Sequence, residues 1–478
     1  MMSDTSCYRV EKDLLGERQV PVVAYYGVQT LRALENFNIS GIPISHFPDL
    51  VTALAMVKQA CARANRDTGK LEPAQAAAIE RACDEIIGGE LHGEFCVDMI
   101  QGGAGTSTNM NANEVIANRA LELLGCERGA YEQLHPNIHV NMSQSTNDVY
   151  PTALRLAMVF GLRQLGRATC ALQKALSAKA VEFQSVLKMG RTQLQDAVPM
   201  SLGQEFNAFA TTVGEEVARL EDMAALLMEV NLGGTAIGTG LNTEADYRDR
   251  AVAHLREISA CPLMPAADLV EATSDMGGFV LLSGMLKRTA IKLSKICNDL
   301  RLLSSGPHCG FNEINLPQKQ PGSSIMPGKV NPVIPEAVNQ VAFTVIGNDT
   351  AITMAAEAGQ LQLNVMEPLI GYKLLESIRY LGAAMESLRI DCVVGITANA
   401  AVCRGYLERS VGLVTALNPY LGYGKTSAIA QQALQTGRSV AELVIEEQLM
   451  TAEELEQLLR PESMLGPVLG EGKPRLRS

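Results

Sequence analysis

A mainly α-helical fold is what the sequence predicts, and three observations support that prediction. Residues 282–303 repeat apolar side chains at alternating spacings of four and three, which is the a/d pattern of a helix that packs along one seam. A second long amphipathic stretch follows Pro151. No segment alternates apolar and polar residues for long enough to predict a large sheet.

The remaining helical segments are weaker but follow the same pattern. The seam of residues 282–303 consists of Leu282, Leu286, Thr289, Leu293, Ile296, Leu300 and Leu303. The second stretch consists of Leu154, Met158, Leu162, Leu165, Leu172 and Leu176. Further helices are predicted over residues 200–230, 335–357 and 364–390. Because 47% of the residues are hydrophobic, we expect helices to pack against other subunits as well, while each seam itself is interpreted as core.

Length and charge limit the classes of partner. At 478 residues, the chain is long enough for a large core and about three domains. Lys and Arg total 40 against 52 Asp and Glu, a net charge of -12, which argues against nucleic acid because phosphate binding depends on basic side chains. No stretch approaches eighteen apolar residues, so we also expect no membrane span.

Cysteine usage and the first residues indicate a cytoplasmic protein. The eleven Cys form no CxxC pair, and "MMSDTSCYRVEKD" has no apolar core of the kind a signal peptide needs. We therefore expect free thiols in a reducing compartment. Of the six His, only His135 and His139 lie close in sequence, and no Cys or carboxylate completes a ligand set around them, so no structural metal is expected.

Four polar segments interrupt the helices and carry the candidate chemistry. They read "GGAGTSTNMNANEV" (102–115), "SQSTNDVYPT" (143–152), "GRTQLQDAVP" (190–199), and a long connection from Ser304 to Asn331 that includes most of "GSSIMPGKVNP" (322–332). A connection of that length between two helices is usually functional or disordered. Its Gly and Pro content favours a mobile but structured lid.

Each segment also has a purely structural interpretation. Residues 145–147 precede Asp148 and a helix, so helix capping explains them well, and Asn331 is placed to cap a helix. Thr192 and Gln193 fit surface positions at a helix start. Lys329 is harder to explain structurally, because a lone cation between a glycine and a helix start is well placed to bind an anion. Together, the neutral donors and one cation predict a small-anion site in a helical enzyme or sensor.

The motifs resemble one known group of proteins. "GSSIMPGKVNP" matches the signature loop of the fumarase/aspartase superfamily at all eleven positions. "GTSTNMNANEV", "QSTND" and "GRTQLQDAVP" resemble the other three active-site regions of that superfamily, in the expected order, and the spacing agrees from about residue 8 to about residue 468. Residues 8–37 are more similar to aspartate ammonia-lyases than to class II fumarases, which usually carry a Trp in this segment where this chain has none.

The resemblance implies a three-domain fumarase/aspartase-like fold with a central long-helix bundle. The implied domains are an N-terminal mainly helical domain (1–146), a central helical bundle (147–400) and a small C-terminal helical domain (401–478). It also implies a homotetramer in which three subunits build each active site. The seam at 282–303 would then lie in the tetramer core.

The resemblance further implies a reaction, the reversible deamination of L-aspartate to fumarate and ammonia. Ser323 matches the base that removes a proton beside a carboxylate, forming a doubly charged aci-carboxylate. Backbone N–H groups of the loop, with Lys329 nearby, would stabilise its oxyanion. No organic cofactor or metal is required by this chemistry, and activation by a divalent cation is left open.

The other implied roles concern a dicarboxylate substrate. The residues that match the β-carboxylate site are Thr106, Ser145, Thr146 and Ser324. Those that match the α-carboxylate site are Thr192, Lys329 and Asn331, and Asn147 matches the residue that orients the amino group. Gln193 stands where fumarases and some aspartases have a His paired with a Glu that corresponds to Glu336. Since Gln cannot shuttle a proton, this departure weakens the main alternative, a class II fumarate hydratase.

Two further alternatives come from outside catalysis. Superfamily members also occur as lens structural proteins, but an intact Ser323 loop argues against that role, and no effector domain supports a ligand sensor. "HPNIHVN" (135–141) resembles a second dicarboxylate site of fumarases, with Ile138 in place of an acidic residue. Binding of an effector at His135 and Asn137 is therefore left open.

Overall fold

The computed structural model describes residues 7–458 and is mainly helical over that range. The helices are α1 (Val28–Asn36), α2 (Pro48–Asp67), α3 (Pro73–Ile87), α4 (Thr106–Leu123), α5 (Thr146–Glu182), α6 (Leu202–Leu226), α7 (Tyr247–Ser259), α8 (Leu269–Ser274), α9 (Gly277–Leu303), α10 (Val333–Glu357), α11 (Glu367–Ser387), α12 (Ala400–Arg409), α13 (Leu413–Leu421), α14 (Tyr423–Thr436), α15 (Val440–Glu446) and α16 (Ala452–Leu458). Short 3-10 or π turns connect several of them.

The β-structure consists of short strand pairs. The strands are β1 (Tyr8–Asp13), β2 (Gly16–Pro21), β3 (Leu187–Thr192), β4 (Gln195–Ser201), β5 (Glu229–Val230), β6 (Met264–Pro265), β7 (Ile314–Asn315) and β8 (Thr397–Ala398). They pair as β1–β2, β3–β4 and β7–β8, all antiparallel, and as the parallel pair β5–β6. Within residues 7–458 no sheet exceeds two strands, which confirms the prediction that a large sheet is missing there.

Five long helices confirm the mainly α prediction. They are α5, α6, α9, α10 and α11, with lengths of 37, 25, 27, 25 and 21 residues. Every member of the 282–303 seam is buried within the single chain, and so are the six predicted apolar residues of α5. The interruption at Thr289 is accommodated because its hydroxyl donates to the Met285 carbonyl. The seams therefore lie in the core of the chain, as interpreted from the sequence.

Local sequence explains several helix ends. Pro48 and Pro73 occupy the first positions of α2 and α3, where a missing N–H breaks no helical hydrogen bond. Gly437 ends α14 in the left-handed conformation that glycine adopts without strain. Ser439 and Glu442 form a capping box at the start of α15.

The chain divides into two compact units. The first comprises the chain up to Gly166, Ala218–Ala290 and Phe343–Leu381, and the second comprises Arg167–Val217, Ile291–Ala342 and the chain from Gly382. In the first unit α2 packs against α3 and α7, and α4 packs against α3. In the second unit apolar residues of β3 pack into a core with α12 to α16. The three-domain division stays a prediction.

None of the helices described between residues 7 and 458 combines the length and the apolar character that crossing a membrane requires.

Candidate active site

In the first unit, a glycine-rich turn leads into α4 and places Thr106 at its exposed first position. The Thr106 hydroxyl donates to the Gly103 carbonyl at 2.7 Å. Gly105 has φ +93, and a Cβ there would lie 2.5 Å from the Tyr150 ring, so only glycine fits. The turn therefore holds Thr106 close against the beginning of α5.

Residues 145–147 form the beginning of α5, and the predicted capping interactions are present. The Ser145 hydroxyl accepts from the Asn147 N–H at 3.2 Å, and the Ser145 N–H donates to the Asp148 carboxylate at 2.9 Å. Thr146 is 9% exposed, and its hydroxyl accepts from the Asn109 side chain at 3.2 Å. The Asn147 side chain donates to the Ala236 carbonyl at 2.7 Å.

Asp148 anchors this helix start from inside the unit. It is fully buried, and its second oxygen accepts from the N–H groups of Gly233 and Thr235 at 3.0 and 3.1 Å. Burial raises the pKa of Asp148 to about 6, although three backbone N–H groups oppose that rise. The capping interpretation and the binding interpretation of this segment are therefore compatible, because the cap fixes the side chains that would bind.

Behind Thr146 lies an amide network with one buried cation. Lys58 on α2 is fully buried, and its ammonium donates to Asn141 Oδ1 at 3.0 Å and to Gln144 Oε1 at 2.8 Å. Asn141 Oδ1 also accepts from the side chains of Asn109 and Asn113, both at 3.1 Å. Burial lowers the pKa of Lys58 to about 8.

Sequence reasoning missed Lys58 and Asn141. The one available signal was a Lys in the mostly apolar run "ALAMVKQACA" of α2, which otherwise contains a single polar residue, Gln59. In the structure, the network joins α2, α4 and the start of α5 through hydrogen bonds, so it determines where the Thr146 hydroxyl lies.

In the second unit, Thr192 and Gln193 lie on a β-hairpin, and the prediction of a helix start is wrong. Thr192 pairs with Gln195, and Gln193 and Leu194 form the two-residue loop with φ of 54° and 62°. Two central residues with positive φ match the hairpin turns whose twist suits paired strands. Such turns usually contain Gly or Asn, so this sequence did not indicate one.

The long connection between α9 and α10 is structured, as predicted. Its β7 pairs with β8, and its later part closes on itself. The Gly322 N–H donates to the Lys329 carbonyl at 2.7 Å, and the Asn331 side chain donates to the Gly322 carbonyl at 2.9 Å. A Cβ at Gly322 would lie 2.7 Å from the Lys329 carbonyl oxygen, so glycine permits this closure. The Asn331 side chain thus closes the loop.

Within that loop, two backbone donors converge on Ser323. The N–H groups of Ile325 and Met326 both donate to Ser323 Oγ at 3.2 Å. Ser324 and Lys329 are exposed, and among residues 7–458 the Lys329 ammonium has no carboxylate partner. The arrangement can therefore stabilise negative charge on one hydroxyl and leaves a cation available to an anionic ligand.

The segment of the predicted second site forms one turn of π-helix, Pro136–Val140. His139 Nδ1 accepts from the His135 N–H at 2.7 Å, and His135 Nδ1 accepts from the Asn137 N–H at 3.0 Å. Burial lowers the pKa of both imidazoles. Each ring thus uses one nitrogen inside the turn, and the question of an effector at His135 and Asn137 stays open.

Across the described part of the chain, no group of three or more His, Cys, Asp or Glu side chains is arranged to hold a metal ion. All eleven Cys of the chain are free.

Two family models match the chain. The model described as "Lyase" matches residues 16–347, and the model described as "Fumarase C C-terminus" matches residues 413–466.

Relatives and solved structures match over nearly the whole length. The "Aspartate ammonia-lyase" of Pseudomonas fluorescens is 66% identical over 470 residues, 98% of each chain, and that of Escherichia coli K12 is 55% identical over 460 residues, 96% of each. The "fumarate lyase:delta crystallin" of Brucella melitensis bound to cobalt is 57% identical with a TM-score of 0.94. The class II fumarase of Schistosoma mansoni is 35% identical with a TM-score of 0.90. Each of the two structural matches covers 96% of this chain and 100% of the other chain.

Proposed function

The chain belongs to the lyase family, and from this premise we propose that it catalyses the reversible deamination of L-aspartate to fumarate and ammonia. The observation that carries this proposal is the 55–66% identity to aspartate ammonia-lyases over at least 96% of the chain. The enzyme is accordingly a carbon–nitrogen lyase. The candidate site supplies a chemical account of how the reaction would proceed.

Ser323 is the proposed base. It removes the proton from the carbon beside the β-carboxylate, and the amine then leaves the adjacent carbon. A neutral hydroxyl is a weak base, so its alkoxide must be stabilised before it can accept that proton. The two N–H groups that already converge on Ser323 Oγ at 3.2 Å support this role, because they would favour the charged oxygen.

The proposed β-carboxylate site consists of hydroxyl groups. Its members are Thr106, Ser145, Thr146 and Ser324. Two negative charges accumulate on the β-carboxylate as the proton leaves, so donors at this end bind the intermediate more strongly than the substrate. That difference is the condition for raising the chemical rate. The anchoring of the α5 start by Asp148 supports this role, because fixed donors need no reorganisation during the reaction.

The opposite end of the substrate meets a different set of groups in this proposal. Lys329, Asn331 and Thr192 bind the α-carboxylate, and Asn147 orients the amino group. The Lys329 ammonium, which has no carboxylate partner in the described part of the chain, supports the first assignment. Gln193 lies next to Thr192 at the hairpin tip and can hydrogen-bond to substrate but cannot transfer a proton. Loss of ammonia depends less on a general acid than loss of hydroxide, so Gln193 favours the lyase over a hydratase.

We further propose a homotetramer with active sites shared between subunits. The first unit leaves large apolar side chains exposed on or near α10, with Phe343 at 62%, Met354 at 68% and Leu361 at 87%. Apolar surface of this kind on a long helix is typical of a subunit interface. Sharing would also explain why motifs for one small substrate lie so far apart in sequence.

The proposed chemistry uses no organic cofactor, and activation by a divalent cation stays open. A cytoplasmic location is likewise proposed, supported by the eleven free Cys, several of them buried.

The first experiment follows fumarate by its ultraviolet absorbance, with purified protein supplied in parallel with L-aspartate and L-malate. We expect a signal from aspartate alone, with ammonia released in equal amount. A signal from malate alone would overturn the proposal in favour of a class II fumarate hydratase. If neither substrate gave an absorbance change, the result would favour a structural role such as that of the lens proteins in this superfamily.

A further inference from the structure

The hairpin that carries Thr192 and Gln193 is held by a group of four charged side chains, two of them buried and two partly buried. They are Lys188 and Arg191 on β3, Glu205 on α6, and Glu313 directly before β7. The group contains two cations and two carboxylates, so its charges balance. We call it the Glu313 cluster.

Glu313 is the centre of this cluster. Its side chain is 0% exposed; one oxygen lies 2.6 Å from Arg191 Nη1 and the other 2.6 Å from Lys188 Nζ. Lys188, itself 1% exposed, also lies 2.6 Å from Glu205. The Arg191 guanidinium lies 4.2 Å from the centre of the Phe311 ring. Removal of Glu313 would leave Arg191 without a carboxylate partner in the cluster and Lys188 with Glu205 alone.

The backbone of Glu313 is fixed as firmly as its side chain. Its N–H donates to the Leu303 carbonyl at the end of α9, and its carbonyl accepts from the Asn399 N–H, both at 2.9 Å. β7 begins at the next residue and pairs with β8. Glu313 is therefore a fixed point within the connection, and the chain continues from it to the 322–331 loop.

We propose that Glu313 is a positioning residue that fixes two site elements relative to one another. One is the hairpin tip with Thr192 and Gln193, and the other is the connection that leads to Ser323. Arg191 directly precedes Thr192, so the ion pair acts one residue from the proposed α-carboxylate contact. The Arg191–Glu313 ion pair is also a hydrogen bond, at 2.6 Å, so it fixes direction as well as distance, which apolar packing at this place would not.

The inference rests on the proposed lyase function and is tested on the full chain with aspartate as substrate. Glu313→Gln keeps the shape of the side chain but removes its charge. The matched control is Glu216→Gln, which removes an equally buried carboxylate of the same unit that pairs with Lys292 at 2.6 Å, outside the hairpin and the connection. The thermal unfolding transition of each variant is measured first. Steady-state kinetics of both variants are then measured at a temperature well below the lower of the two transitions.

We expect Glu313→Gln to lower kcat/KM by about 10²-fold, with a higher KM and a lower kcat, because small displacements of contacts cost that much. Glu216→Gln should lose thermal stability without a change in kcat/KM. Equal kcat/KM in the two variants would reduce Glu313 to a structural role and overturn the inference.

Arg191→Lys decides the question if Glu313→Gln does not fold. It leaves a cation beside Glu313 but removes the planar group that lies over Phe311. We expect kcat/KM to fall by at least about tenfold, and an unchanged value would overturn the inference. An unsubstituted chain that is inactive on aspartate would instead overturn the proposed function, and this inference with it.

Discussion

The two parts of the candidate site are built on different principles. Thr146 and its neighbours lie at a buried helix start, hydrogen-bonded to amide side chains from other elements. Ser323 and Lys329 lie on a loop that is largely exposed and makes most of its hydrogen bonds within itself. The first part is fixed by the surrounding core, whereas the second is fixed only at its ends.

This difference matches what each part would do in the reaction. Donors that stabilise developing charge work best when they are already in place, so a rigid support suits Thr146. A base that must close over substrate and then release product needs a segment that opens at low cost, which an exposed loop provides. The predictions below test this contrast, in order of decreasing effect.

The largest effect is expected from Ser323→Ala. Removal of the proposed base should lower kcat by about 10²–10⁴-fold. Because Ser323 Oγ accepts only from two N–H groups of an exposed loop, Tm should not change. Ser304→Ala, at the beginning of the same connection, is the control and should leave both quantities unchanged. Substantial turnover by Ser323→Ala would remove this residue from the role of base.

Thr146→Val tests the rigid part. Loss of one donor to a developing charge should lower kcat by about 10²–10³-fold. Asn109 keeps its bond to Asn141, so the cost in stability should be small. The control is Thr152→Val on the same helix, where the buried hydroxyl donates only to the Asp148 carbonyl. Equal rates for the two variants would contradict the contrast drawn here.

Lys58→Met tests whether the rigid part depends on its buried cation. Between about pH 8 and pH 10, Lys58 is protonated in the unfolded chain and increasingly neutral in the folded one. The unfolded chain then binds more protons, so this residue makes the free energy of unfolding rise with pH in that window.

The rise attributable to Lys58 is at most about 3.5 kcal/mol, since its pKa falls from 10.5 to about 8 and one pKa unit corresponds to about 1.4 kcal/mol. It should be missing from Lys58→Met when denaturant unfolding of both chains is compared at pH 7.5 and pH 9.5. Parallel pH dependences would show that Lys58 keeps an ordinary pKa in the fold.

The smallest effect concerns strain at the hairpin tip. Leu194 is exposed and has φ 62, a conformation that costs a side chain about 1–2 kcal/mol and glycine nothing. Leu194→Gly should therefore raise the free energy of unfolding by about 0.5–1 kcal/mol after the entropy cost of glycine. The control is Leu14→Gly, at an exposed turn residue without positive φ, and this change should lower the free energy of unfolding. A lower urea midpoint for Leu194→Gly would mean that the tip is unstrained.

The helices and the loop motif could be read from the sequence because their signals are local. The 282–303 seam depends on spacings of three and four residues, and α9 has the predicted buried face. The 322–332 motif is contiguous, so its donors and its single cation were visible together. The hairpin at Gln193 and Leu194 was missed because two residues without Gly or Asn carry no turn signal.

What the sequence determined by itself was therefore the helical class, the segments proposed to carry the chemistry and the residues of the two helical seams that face the core. Only the tertiary structure decided how those segments are supported. Lys58 and Asn141 are 83 residues apart, and Arg191 and Glu313 are 122 apart, so no local pattern connects either pair. A charged side chain is stable in a core only when the fold brings a partner to it, and the sequence position of that partner is unrestricted.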